Sequence, residues 1–153
     1  MTDFACHVKD GIEEVDRKAF RVACHKSSLY GEYEGKQYCV LHYPGGNKED
    51  EFREAVSSKL RQKSYDFRGT VFPEDTSEFQ SITFDAPASL AETTHVGRAL
   101  FQGAEFTSGV DFSGAEFSTR GAHFRNARFR GELIDFSKAN FSGAIMPDGA
   151  KHP

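Results

Sequence analysis

Along the second half of the chain, phenylalanine recurs at Phe101, Phe106, Phe112, Phe117, Phe124, Phe129, Phe136 and Phe141, in steps of 5, 6, 5, 7, 5, 7 and 5. Two positions before each stands a small or aliphatic residue: Ala99, Ala104, Val110, Ala115, Ala122, Ala127, Ile134 and Ala139. The position between is usually polar, as in Ala115-Glu116-Phe117. Neither a helical period nor sustained strand alternation gives this pattern. A short extended segment places alternate side chains on one side. Residues one and three of each unit then point inward, and a tight turn carries the chain to the next face. The pattern predicts a solenoid with four faces to a coil, alanine at the crowded inner positions and phenylalanine stacked up the centre. Extra residues in alternate units, as at Thr119-Arg120-Gly121 and Glu132-Leu133, lengthen the coil to about 22 to 24 residues.

Upstream the pattern changes. Tyr30 to Leu41 reads as two short strands about a turn, and Tyr43-Pro44-Gly45-Gly46-Asn47 breaks the chain. A helix is predicted from Glu49 to Lys63, with Phe52, Ala55, Val56 and Leu60 on one face and acidic residues in its first turn. Phe67 and Phe72, then Phe79 and Phe84, repeat the five-residue spacing and begin a degenerate coil. From Asp85 to Arg98 the rhythm lapses. That stretch reads as an inert connection, as a protruding loop, or as a degenerate pair of faces with Leu90 and Val96 inward. The region from Phe67 to Met146 has room for three to four coils.

The triplets Ala115-Glu116-Phe117-Ser118, Ala127-Arg128-Phe129-Arg130-Gly131 and Ala139-Asn140-Phe141-Ser142-Gly143-Ala144 resemble the unit of pentapeptide-repeat proteins. The resemblance covers residues 65–149 and implies a mainly β fold, a right-handed quadrilateral β-helix. The ending Ala144-Ile145-Met146-Pro147-Asp148-Gly149 is similar to a terminus of such proteins. The expected organisation is a Cys/His module at 1–48, a capping helix at 49–64, the β-helix at 65–149 and a tail at 150–153. The repeat is a scaffold with many uses, so the resemblance says little about activity.

Composition narrows the chemistry. The chain has 153 residues and a formal charge of −4, which predicts no general attraction to nucleic acid or anionic membrane. No apolar run approaches the roughly 20 residues a membrane span needs. Met1-Thr2-Asp3-Phe4 lacks the basic and apolar regions of a secretory signal, so a cytoplasmic protein is expected. Three widely spaced cysteines do not make a disulfide framework. Cys6, Cys24, Cys39 and His42 instead make a complete set for structural zinc, which takes four Cys and His ligands. The N-terminal part is small and polar, and a metal would explain how it stays folded. It is also similar to the Cys/His leader, with a Tyr-Cys-x-x-His element, that precedes the solenoid in some pentapeptide-repeat proteins. The alternatives are that the cysteines are small buried apolar residues, or that His7 or His25 replaces its neighbouring cysteine as a ligand. A nucleophile and base at Cys39 and His42 would need an orienting residue and an oxyanion element that the sequence lacks. No Walker loop, dinucleotide fingerprint or Gly-x-Ser-x-Gly turn occurs.

Outward positions of the repeat change sign along the chain. Glu105, Asp111 and Glu116 are followed by Arg120, Arg125, Arg128 and Arg130, with His123 among them. The four arginines are expected either to meet an acidic protein partner or to form a solvated surface with local ion pairs. The expected function is a non-enzymatic protein–protein interaction scaffold or accessory subunit. The alternative is a DNA mimic, as some pentapeptide-repeat proteins are, that inhibits a type II topoisomerase. That would need a continuous acidic face, and an enzyme would need a pocket with perturbed titratable groups. Ile145-Met146-Pro147 has no helix to cover it, so a homodimer through the C-terminal coil is expected.

Overall fold

The computed structural model describes residues 5–24, 29–75, 77–118, 121–131 and 133–140. Its first element, α1 (Glu14–Phe20), continues into a 3-10 turn at Arg21–Ala23. The single helix expected from sequence is thus corrected to two. No residue of α1 is buried, so it carries no apolar stripe to read. It is tied instead by the Arg21 guanidinium, which donates to Glu14 at 2.8 Å and to the Cys6 carbonyl at 2.8 Å. The expected hairpin is present as β1 (Gly31–Tyr33) paired antiparallel with β2 (Lys36–Tyr38). Glu34 and Gly35 between them take φ of 52° and 79°, as a tight two-residue hairpin turn requires.

The second helix, α2 (Glu49–Arg61), buries Phe52, Ala55 and Val56 as the spacing predicts. Leu60 is only half-buried, and Ser58 and Lys59 are buried instead. The helix lies against the first coil of the repeat. Phe52 meets Phe72 edge to face at 5.4 Å, and the Lys59 ammonium sits 5.2 Å over the Phe67 ring.

Beyond α2 the chain is a succession of two-residue strands in four parallel ladders. One holds β3 (Val71–Phe72), β6 (Thr94–His95) and β10 (Glu116–Phe117), with Asn140 bridging Glu116 above. The next holds β7 (Ala99–Leu100) and β11 (Ala122–His123). The third holds β4 (Thr83–Phe84), β8 (Glu105–Phe106) and β12 (Arg128–Phe129). The fourth holds β5 (Ala88–Ser89), β9 (Val110–Asp111) and β13 (Ile134–Asp135), with Asp66 bridging Ser89 below. The chain visits these ladders in fixed rotation. Ala88 pairs with Val110, and Val110 with Ile134, steps of 22 and 24 residues as the spacing predicts. The fold is mainly β, with parallel strand stacks of the kind that repeat β-helices build. No helix among the described residues is long and apolar enough to cross a membrane.

Each ladder sends one large side chain per coil, most often a phenylalanine, to the centre. Phe79, Phe101 and Phe124 stack at 5.3 and 5.1 Å with interplanar angles of 3° and 7°. Phe84, Phe106 and Phe129 stack at 4.7 and 5.3 Å. Phe67, Leu90, Phe112 and Phe136 line the fourth ladder, the last two 5.2 Å apart. Phe101, Phe106, Phe112, Phe117 and Phe124 are buried as expected, whereas Phe129 and Phe136, in the uppermost described coil, are only partly so. Phe141 lies outside the described residues.

The stretch at 86–98 is not a lapse. Ala88-Ser89-Leu90 and Thr93-Thr94-His95 each occupy a face, in the places that Ala-x-Phe occupies elsewhere. Leu90 points inward as one reading expects, but Val96 does not: it is 55% exposed, and His95 is 2% exposed in its stead. The inward positions of an extended pair alternate, so 93 and 95 face the core and 96 falls on the corner. His95 completes the remaining column, between Phe72 at 4.5 Å and Phe117 at 4.7 Å.

Candidate metal centre

Three separate segments converge beneath the first coil. Cys6 lies on an extended segment whose next residue, His7, donates its amide to Gln37 O at 2.8 Å. Cys24 ends the 3-10 turn after α1. Cys39 and His42 share the turn that follows β2, closed by the Tyr43 amide donating to Cys39 O at 2.9 Å. That turn is docked on the repeat, because the Val71 amide donates to Leu41 O at 2.9 Å. Gly69 makes the docking close. Its φ is +73°, and a Cβ there would lie 2.8 Å from Val8 Cγ1 and 3.4 Å from His42 Cδ2.

The ligand atoms of Cys6, Cys24, Cys39 and His42 all lie within 4.8 Å of one another. His42 Nδ1 is 3.4, 3.4 and 3.2 Å from the sulfurs of Cys6, Cys24 and Cys39. Tetrahedral zinc with ordinary Zn–S and Zn–N bonds sets sulfur and nitrogen about 3.5 Å apart, so the cage fits such an ion. The tautomer fits too. His42 Nε2 is 2.8 Å from Arg68 O. A carbonyl only accepts, so Nε2 carries a hydrogen and Nδ1, which faces the sulfurs, is the atom left to bind an ion. Metal-bound histidines are commonly oriented this way by an outer carbonyl. The Cys39 amide is 3.3 Å from Cys6 Sγ and donates to it.

The electrostatics describe a cage with room for a cation. Hydrogen bonds with Cys24 and then Cys6 hold the Cys39 thiol far below its usual range. Hydrogen bonds with Cys39 and Cys6, with burial behind them, push Cys24 far above it. Metal ligation takes thiolates, so a dication would favour the charged form that burial opposes at Cys24. Burial opposes a charge on His42, yet its hydrogen bonds with the Cys39 and Cys6 sulfurs raise it to about 10. A proton on Nδ1 thus takes the place that a metal would take.

His7 does not share the cage. Its Nε2 pairs with Asp10 at 2.6 Å, and His25 lies outside the described residues. The arginines expected at the partner surface are placed in part. Arg125, Arg128 and Arg130 are exposed around β12, and Arg130 Nε lies 3.8 Å from Glu105. Arg120 and the expected dimer segment 145–147 lie outside the described residues. The acidic stretch is dispersed, because Glu105, Asp111 and Glu116 belong to three different ladders.

Sequence reading misses two buried lysines beside the cage, Lys48 and Lys59, 2% and 4% exposed. Lysine is ordinarily solvated, and only the placement of both beside a thiol-rich segment could have singled them out.

A model described as pentapeptide repeats (9 copies) matches residues 94–137. No curated protein and no solved structure matches the chain. Residues 94–137, which build β6 to β13, are therefore similar to pentapeptide repeats.

Proposed function

We propose that this chain is a non-enzymatic interaction scaffold, a right-handed quadrilateral β-helix over 65–149 whose lower end is closed by the helix at 49–64 and a zinc-holding module at 1–48. The observation that carries the scaffold reading is the ladder register. It fixes each outward side chain by backbone pairing, so Arg125, Arg128 and Arg130 stand exposed around one strand at set spacing. Little ordering is needed when such a surface binds, and arginine is enriched at interfaces. With Arg120 they form the surface for an acidic protein partner. A DNA-mimicking face gains no support, since one ladder turns Thr83, Glu105 and Arg128 outward in succession. The ladder of Ser89, Asp111 and Asp135 is broken by the serine, and Asp66 below it is paired with Arg68 at 2.6 Å.

Arg125→Glu with Arg128→Glu tests the surface. The expected result is loss of the native partner from affinity capture, with the thermal midpoint unchanged. Undiminished capture refutes this placement. Zinc is tested by elemental analysis of protein purified without chelator, where one ion per chain is expected and a clearly substoichiometric content is not.

A further inference from the structure

The two buried lysines belong to opposite ends of α2. Lys48 is its N-cap residue and Lys59 lies in its last turn. Neither makes an ion pair within 4.0 Å among the described residues. A buried ammonium without a counter-charge is costly, so the surroundings must offset it. Both reach backbone that carries cage residues. Lys48 Nζ donates to Val40 O at 2.7 Å, Leu41 O at 3.3 Å and Tyr43 O at 2.6 Å. These carbonyls belong to the turn that presents Cys39 and His42, and they use all three ammonium hydrogens. Lys59 Nζ donates to Ala23 O at 3.2 Å, immediately before Cys24, and to Ser64 Oγ at 3.3 Å. One helix thus grips two of the three segments that converge on the cage. Burial lowers Lys48 to about 7 and lowers Lys59 as well; Cys39 and Cys6 oppose this at Lys48, and Asp66, then Cys24 and Cys39, oppose it at Lys59.

We infer that Lys48 is the counter-charge of the metal centre and that Lys48 and Lys59 position its ligand-bearing turns. The inference rests on the zinc reading above. Three thiolates, a neutral imidazole and a dication leave one net negative charge in a dry site. An ammonium within the surrounding shell cancels it, and the anionic cage in turn holds the ammonium charged. The hydrogen bonds add geometry. With its carbonyls drawn to Lys48, the turn leaves the Cys39 amide free to donate to Cys6 Sγ.

The test measures zinc affinity of the full chain by competition with a chromogenic chelator, for the parent, Lys48→Met, Lys48→Gln and Lys59→Met. Cobalt spectra count the thiolates bound, and Lys63→Met, at an exposed lysine just past α2, is the control. Retention should fall 10- to 100-fold in both Lys48 variants, as for other outer-shell partners, and at least 3-fold in Lys59→Met, with the control unchanged. Glutamine keeps donors and lacks charge, so a lysine that only bonds the turn would leave Lys48→Gln equal to the parent. That result overturns the counter-charge role, and zinc retention within 2-fold of the parent in Lys48→Met and Lys59→Met overturns the whole inference. Should the Lys48 variants not fold, Lys59→Met decides, because its ammonium makes one backbone bond. A parent that binds no zinc refutes the metal reading and this inference with it, whereas a zinc-binding parent with unaffected variants refutes this inference alone.

Discussion

Replacing His95 by phenylalanine should make the repeat more stable, and by more in acid. His95 is buried between two phenylalanine rings. Thr93 Oγ1 donates to Leu90 O at 2.8 Å, so the 3.1 Å contact between Thr93 Oγ1 and His95 Nε2 has the imidazole as donor. Nε2 therefore holds the hydrogen, and Nδ1 is left buried with no partner among the described residues. Protonation would place an N–H there with nothing to accept it. Burial accordingly lowers His95 to about 3 from an ordinary 6.5. The unfolded chain then binds the proton first. Stability from the neutral ring is complete above pH 6.5 and is lost as the pH falls from 6.5 toward 3. At about 1.4 kcal/mol per unit, the loss at pH 5 is about 2 kcal/mol. His95→Phe removes this slope and also the orphaned nitrogen, which costs about 1–3 kcal/mol at any pH. The column accommodates the ring, since Phe84 and Phe106 stack at 4.7 Å two ladders away. Thr93 keeps its bond to Leu90. The assay is denaturant unfolding of both proteins at pH 8, 6.5 and 5 without added metal. Other groups titrate equally in both, so the difference isolates position 95. It should widen by about 2 kcal/mol from pH 8 to pH 5. Parallel pH profiles would refute the reasoning.

Three other substitutions test separate parts of the structure. Phe124→Ala, at a fully buried ring 5.1 Å from Phe101, should cost about 3–5 kcal/mol in equilibrium unfolding. Gly69→Ala meets both a left-handed φ and the Val8 side chain, so a loss of about 1–2 kcal/mol or more is expected, together with weaker zinc retention by chelator competition. Cys39→Ser should reduce bound zinc in elemental analysis and lower the thermal midpoint, and equal zinc content in the variant would contradict the cage.

The stacked repeat was legible because its period is written in residue types. Ala-x-Phe at five- to seven-residue steps determines which side chains face inward, and the coil length follows from the same count. The Cys/His set was legible as a complete ligand inventory, though its convergence depends on three segments meeting at the base of the repeat. The failures have distinct causes. Thr93-Thr94-His95 hides a face because threonine and histidine fill places read for alanine and phenylalanine. Aromatic shape suits the column even where polarity does not. The helix α1 hides because it buries nothing. Lys59 hides because a charged residue on the inner side of α2 is predicted outward, whereas the Phe67 ring, the Ala23 carbonyl and the nearby Asp66 and cysteine charges receive it.

The hydrogen bond from the Val71 amide to Leu41 O gives the repeat a direction. A stacked coil needs a neighbour to pair with, and the lowest coil has none of its own kind beneath it. Here its first strand finds that neighbour in the turn that bears Cys39 and His42. Ordering that turn supplies a template on which β3 can settle, and each later coil is then laid on one already formed. The template also leaves the ribosome before the repeat does. Stacking order and synthesis therefore run the same way, and each coil emerges after the one on which it will rest.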